Sequence, residues 1–130
     1  MHTTLLPEGW PRPSGYANGI LASGDRLIFT GGQIGWTSDG AFESTTFVGQ
    51  FRQALLNIRD VLASAGAGPE HMTRMTWFIT DKKGYLRQLR EVGATYREIM
   101  GRNFPAMSVL VVSELVENEA VVEIEVTAVV

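Results

Sequence analysis

The chain changes its apolar period several times along its length. Val48, Phe51, Leu55, Ile58 and Leu62 recur every three or four residues, which places them on one stripe of a helix starting near Thr46. Thr45 or Thr46 is suited to cap it, because a threonine hydroxyl accepts a backbone N–H left unpaired in the first turn. The stretch Ala65-Gly66-Ala67-Gly68-Pro69 ends it. A second stripe of Leu86, Leu89, Val92 or Gly93, Tyr96, and Ile99 or Met100 predicts a helix that Asp81 starts and that Gly101 and Pro105 close. Elsewhere β-branched and aromatic residues cluster at strand lengths: residues 16–22, 25–35, 73–80, 106–113 and 120–130. Ser23-Gly24-Asp25 predicts a hairpin turn between the first two, and Asp39-Gly40 a second turn. Residues 1–15 hold Pro7, Pro11 and Pro13 and read as an irregular arm, since proline lacks the N–H that a ladder needs.

Strands, two helices and closing strands predict a single α+β domain over residues 1–130, with two helices packed on one face of a mixed sheet. The last two strands are apolar on both alternating faces, more than a one-sided antiparallel sheet carries. Two helices are too few to cover both faces. Oligomerisation through the second face is the expected solution. A two-sided strand buried inside a monomer is the alternative.

Composition narrows the function classes. Apolar residues make up 45% and charged residues 19% of 130, a globular balance. The net charge is -3 with no basic block, so no nucleic-acid footprint is evident. No apolar run approaches the roughly 20 residues that span a bilayer. The start lacks a basic segment followed by an apolar one, so no secretory signal is expected. The absence of cysteine excludes disulfides and thiolate chemistry, and a cytoplasmic location is expected. The only histidines, His2 and His71, are isolated in sequence and predict neither a zinc site nor a Ser–His–Asp set. No metal and no cofactor are expected. The run TGGQIG is neither a dinucleotide fingerprint nor a P-loop.

Three stretches carry candidate chemistry. In TGGQIGW, Gly31 and Gly32 permit close backbone approach, Gln33 offers a donor and an acceptor, and Trp36 a flat apolar wall. A glycine bulge beside a core tryptophan explains the same residues. In VVEIEVTAV, Glu123 and Glu125 share one strand face, with Val121, Thr127 and Val129 beside them. A carboxylate in such an apolar setting is a candidate proton carrier near neutral pH; a solvated strand face is the plainer reading. In RNFPAMSVLVV, Met107 stands at the mouth of an apolar strand, where ordinary packing also accounts for it.

Taken in order, the Tyr16 arm, LIFTGGQIG, QALLNIRDVLASAGA, MTWFITD, FPAMS and VVEIEVTAV resemble the RidA (YjgF) family, also labelled endoribonuclease L-PSP, over nearly the whole chain. The resemblance implies a chorismate mutase-like fold and a homotrimer with a small-molecule cleft at each subunit interface. It implies cofactor-free hydrolysis of enamines and imines to oxo compounds and ammonia. Carried over by position, Glu123 and Tyr16 are the expected catalytic residues, and Gly32 and Gln33 match the family's Gly-Gln pair. Gly31, Trp36, Asn18 and Met107 complete the expected substrate-binding set. Imine-hydrolysing members have arginine where this chain has Met107, and methionine cannot clamp a carboxylate through two parallel hydrogen bonds. Gly93 stands where many have asparagine, and Ala17-Asn18 replaces Ser-Gln. The arm and GGQIGW resemble instead the branch that deaminates 2-aminomuconate, with backbone N–H groups near Gly31–Gly32, Asn18, or an arginine such as Arg12 or Arg74 from either subunit as candidate carboxylate donors. A non-catalytic metabolite-binding or protein-holding trimer is the alternative. RNA cleavage follows from the family label alone.

Overall fold

Gly49 N–H donates to the Thr46 hydroxyl at 3.1 Å, and the helix this cap begins, α1, spans Phe47–Ser64 in the computed structural model, which describes residues 1–130. Phe51, Leu55, Ile58 and Leu62 of the expected stripe are fully buried, while Val48 lies half-buried at its edge. Truncating Phe51 to alanine would cost about 3–5 kcal/mol at such a site.

The second expected helix is two. Asp81 caps α2 (Lys82–Arg87) by accepting Gly84 N–H at 3.0 Å, and α3 (Leu89–Met100) follows. Gln88 leaves helical geometry at φ -118°, ψ 21°, and its N–H turns back three residues to Tyr85 O. The break rotates the first part of the stripe outward. Val92, Tyr96, Ile99 and Met100 are buried, whereas Leu86 and Leu89 are exposed. Gly101, at φ 66°, closes α3 with its N–H on Arg97 O.

The strands are β1 (Thr3–Leu5), β2 (Gly19–Leu21), β3 (Leu27–Phe29), β4 (Gln33–Ile34), β5 (Met72–Ile79), β6 (Ala106–Val111) and β7 (Val122–Val129). The main sheet runs β3-β7-β5-β6, with β4 also on β7; only β5 and β6 are parallel. The expected hairpin between β2 and β3 does not form. Its turn docks instead on the chain's last residues, Asp25 and Arg26 N–H donating to Val130 O, and β3 pairs with β7. The arm is correspondingly less irregular than expected, since β1 pairs with β2 in a separate two-stranded ribbon. His2 staples that ribbon down: it accepts Ser23 N–H on Nδ1, and its Nε2 lies 3.1 Å from His71 O. The two histidines thus meet in space, with their ring nitrogens on backbone groups; His71 Nδ1 accepts Gly68 N–H.

Alternation then sorts the sheet's two faces. Met75, Trp77, Ile79, Val122, Ile124, Val126 and Ala128 face the helix layer and join its core. The other face is bare of helices. It is apolar at its margins, with Phe29 71% exposed, but Arg74, Thr76, Glu123, Glu125 and Thr127 occupy its centre. The expectation of an apolar second face holds in part: Leu27, Phe29, Phe78 and Leu110 lie on it, but glutamates and threonines of the two central strands alternate onto it as well. No helix is long and apolar enough to cross a membrane.

Candidate functional site

Ala17 N–H donates to Pro105 O at 3.0 Å, and Ala17 bridges to Ala106 in parallel register. This contact ties the end of the arm to the start of β6 and sets Tyr16 and Met107 on one cavity. The cavity is an open hollow of about 1200 Å³ on the helix side of the sheet. The arm from Arg12 to Ala17 forms one wall, α3 the other, and Trp77 and Met107 of neighbouring strands lie between them.

Its interior is aromatic. Trp77 stands edge-on to Phe51 (4.7 Å between ring centres) and to Tyr85, while Tyr96 stacks on Phe104 at 5.3 Å. Tyr96 donates its hydroxyl to Asn103 O. Burial holds the Tyr96 phenol well above the usual tyrosine range and also raises that of Tyr85, so both keep their protons at physiological pH. The Trp77 Nε1–H is buried and has no partner.

A second group of expected residues lies on the bare face. Ile34 pairs with Glu123 and Gln33 with Ile124, which brings the Gly31–Gln33 segment against β7. Thr30 makes the passage between β3 and β4: its N–H donates to Val126 O, and its Oγ1 accepts Val126 N–H, both at 2.9 Å. Glu123 is half-buried over Gly32, and its side chain makes no hydrogen bond or ion pair within the chain. Across the ladder Glu123 is paired with Phe78 of β5 and Ile34 of β4, while Glu125 and Thr127 follow it along its own face.

Tyr16 and Met107 are therefore together, and Gly32 and Glu123 are together, but the cavity's lining includes neither Glu123 nor Gly32, Gln33, Gly31, Asn18 or Trp36. Asn18 and Gly31 are exposed. Trp36 rests on Phe42, and its carbonyl accepts the Asn57 amide at 2.8 Å. Of the two arginines singled out as carboxylate donors, Arg12 reaches the cavity, whereas Arg74 lies in a hollow of about 200 Å³ on the bare face with Glu125. Sequence reasoning passed over Arg97, Arg102, Trp77, Tyr85, Tyr96 and Phe104. Trp77 and Tyr96 carried a signal: each places a polar-tipped aromatic on a core-facing position, where its polar atom needs a partner.

The fold is thus a one-sided α+β layer with an aromatic cavity under a strapped arm. The chain belongs to the family described as Endoribonuclease L-PSP, whose profile matches residues 12–130. Its structural relatives carry the Rid and YjgF names. YyfB of Yersinia pestis, a Rid-family protein of unknown function, superposes with a TM-score of 0.85 at 26% identity, covering 99% of this chain and 98% of that one. YyfA of the same organism, also a Rid-family protein of unknown function, is 30% identical over the whole of both chains with a TM-score of 0.69. TdcF of E. coli, solved with bound serine, is 25% identical over 98% of each chain, also at 0.69. No curated protein sequence matches.

Proposed function

We propose that the protein hydrolyses the enamine or imine of a small unsaturated amino acid, such as 2-aminomuconate, to the oxo compound and ammonia, without metal or organic cofactor. The observation that carries this reading is Glu123: a half-buried carboxylate with all its acceptor positions open, seated over a glycine that leaves it room. Family membership and the amino acid bound to TdcF support the substrate class.

The enamine takes a proton from solvent at carbon and becomes the iminium ion. Glu123 orients a water and removes one of its protons as the oxygen attacks the iminium carbon, giving the carbinolamine. The carboxylic acid so formed protonates the amine, the C–N bond breaks, and ammonia leaves as the hydroxyl proton returns to the Glu123 carboxylate and the carbonyl forms. One positioned acid–base contributes about 10²–10⁴-fold. Tyr16 and Met107 lie on the other group, so the reading requires a homotrimer in which the cavity of one chain meets the Glu123 edge of the next.

The test is ammonia release by the purified protein from 2-aminomuconate and, separately, from 2-aminoacrylate. Release from the first is expected. Release from neither favours the second reading, a metabolite-binding or protein-holding trimer without turnover. Met107 supports that alternative, because it lines the cavity where imine-hydrolysing members carry their carboxylate clamp.

A further inference from the structure

We infer that Asn57, on α1 and outside the site itself, is a positioning residue for Glu123: it fixes the height of the Gly31–Gly32 segment against which that carboxylate lies. The inference rests on the proposed function in taking Glu123 as the acid–base.

The segment is a β-bulge. β3 and β4 both pair with β7, yet out of step: Phe29 is opposite Thr127, and Gln33 is opposite Ile124. Three residues, Thr30, Gly31 and Gly32, therefore face only two, Glu125 and Val126. Such an extra residue interrupts the ladder and re-aims what lies beside it. Here that is the Glu123 side chain, since a Cβ on Gly32 would meet its carboxylate. With the ladder interrupted, the height of the bulge over β7 is set by its two ends.

Thr30 fixes the first end through its two bonds to Val126. The second end is β4, whose two residues are too few to hold a register unaided. Asn57 holds it from the helix layer. Its Nδ2 donates to Ile34 O at 3.1 Å and to Trp36 O at 2.8 Å, so the one amide engages the carbonyls on both sides of Gly35. Its Oδ1 accepts from Gln53 Nε2, four residues earlier on α1, at 2.9 Å, which fixes the orientation of the amide. Gly35 rests on the same helix, so close that a Cβ there would stand 2.5 Å from the Gln50 Cβ. Ile34, whose carbonyl Asn57 holds, is the residue paired with Glu123. The amide thus reaches Glu123 through the backbone: a shift of β4 against α1 moves Gly32, and with it the surface on which the carboxylate lies.

Asn57→Ala tests this beside Leu62→Ala, a core truncation further along α1 that also destabilises the domain. NMR follows the Gly32 amide and the Glu123 carboxyl carbon. Both resonances should shift in Asn57→Ala and stay in Leu62→Ala, and the Glu125 carboxyl should stay in both. Gln53→Ala keeps the Asn57 amide but frees it to turn, and should give a smaller shift in the same direction. Should Asn57→Ala not fold, Gln53→Ala carries the test. On 2-aminomuconate, Asn57→Ala should lose about tenfold or more in kcat with KM within about twofold, since a misplacement of order 1 Å costs up to about 10²-fold. Combined with Glu123→Gln it should lose no more than Glu123→Gln alone, because it acts through that carboxylate. Unmoved resonances in Asn57→Ala, equal movement in Leu62→Ala, or additive losses in kcat overturn the inference. A parent that releases no ammonia sinks the deaminase reading and leaves the resonances to decide this one. Turnover by the parent with unmoved resonances in Asn57→Ala does the reverse.

Discussion

Glu123 lies over the bare α-carbon of Gly32: a Cβ built there would stand 2.7 Å from the carboxylate carbon and 2.9 Å from Cγ. Gly32 does not have a positive φ, so an alanine here would meet the Glu123 side chain rather than backbone strain. Gly32→Ala should push the carboxylate aside. On a substrate that the parent turns over, it should lose about two orders of magnitude in kcat, as should Glu123→Gln, within the range for a removed acid–base. Glu125→Gln should lose far less. An ammonia-release assay showing Gly32→Ala as active as the parent would remove Glu123 from the mechanism.

Assembly is the second expectation. The two groups of site residues do not meet within one chain, and Phe29 stands 71% exposed on the bare sheet face. Light scattering should give three times the 14.3 kDa chain mass. Phe29→Glu should shift that mass toward the monomer, since a charge replaces an apolar contact. A monomer mass for the parent at micromolar concentration rules the trimer out.

Met107 separates packing from chemistry. Met107→Leu conserves volume and should change unfolding free energy by less than about 1.5 kcal/mol. Met107→Arg puts a guanidinium on the cavity lining where the family resemblance implies a carboxylate clamp, and gain of 2-aminoacrylate hydrolysis is the expected result. A folded Met107→Arg protein without that gain shows that the rest of the cleft has diverged too.

Gln50 is a buried polar hub, 1% exposed. Its amide nitrogen donates to Ser44 O and Glu119 O, and its Oε1 accepts Val121 N–H. Gly35 packs against it so closely that a Cβ there would meet the Gln50 Cα at 2.6 Å. Gln50→Leu leaves three backbone groups unpaired and should cost at least about 2 kcal/mol, seen as a lower urea midpoint.

Tyr96 sets an alkaline limit. Burial raises its pKa well above the ordinary 10.0, so the folded state keeps the phenolic proton after the unfolded chain has released it. The stability this group contributes is full below pH 10 and declines as pH rises toward the folded pKa, by up to about 1.4 kcal/mol per unit. Urea titrations between pH 8 and pH 11 should show this decline, and Tyr96→Phe should flatten it. A slope equal in the two proteins would assign the effect elsewhere.

What the sequence determined by itself is what neighbours along the chain decide. The caps at Thr46 and Asp81, the stop at Gly101 and the buried stripe of α1 depend on contacts three or four residues apart, and the spacing displays them. The ordered motifs from Tyr16 to VVEIEVTAV carried the family for the same reason, being contiguous runs. Tertiary structure alone decided which strands pair. Ser23-Gly24-Asp25 has the residues of a hairpin turn, but Val130 O takes its amides, and β7 is the longer partner for β3. The break at Gln88 likewise followed from packing, since Leu86 and Leu89 continue the apolar period without reaching the core. The cavity was the least legible part. Arg12, Trp77, Arg97 and Arg102 share it only because the arm is strapped onto β6 by Ala17, a pairing nearly ninety residues apart in the chain. No local period encodes such a contact, because its loop-closure entropy is offset by the packing of the whole domain.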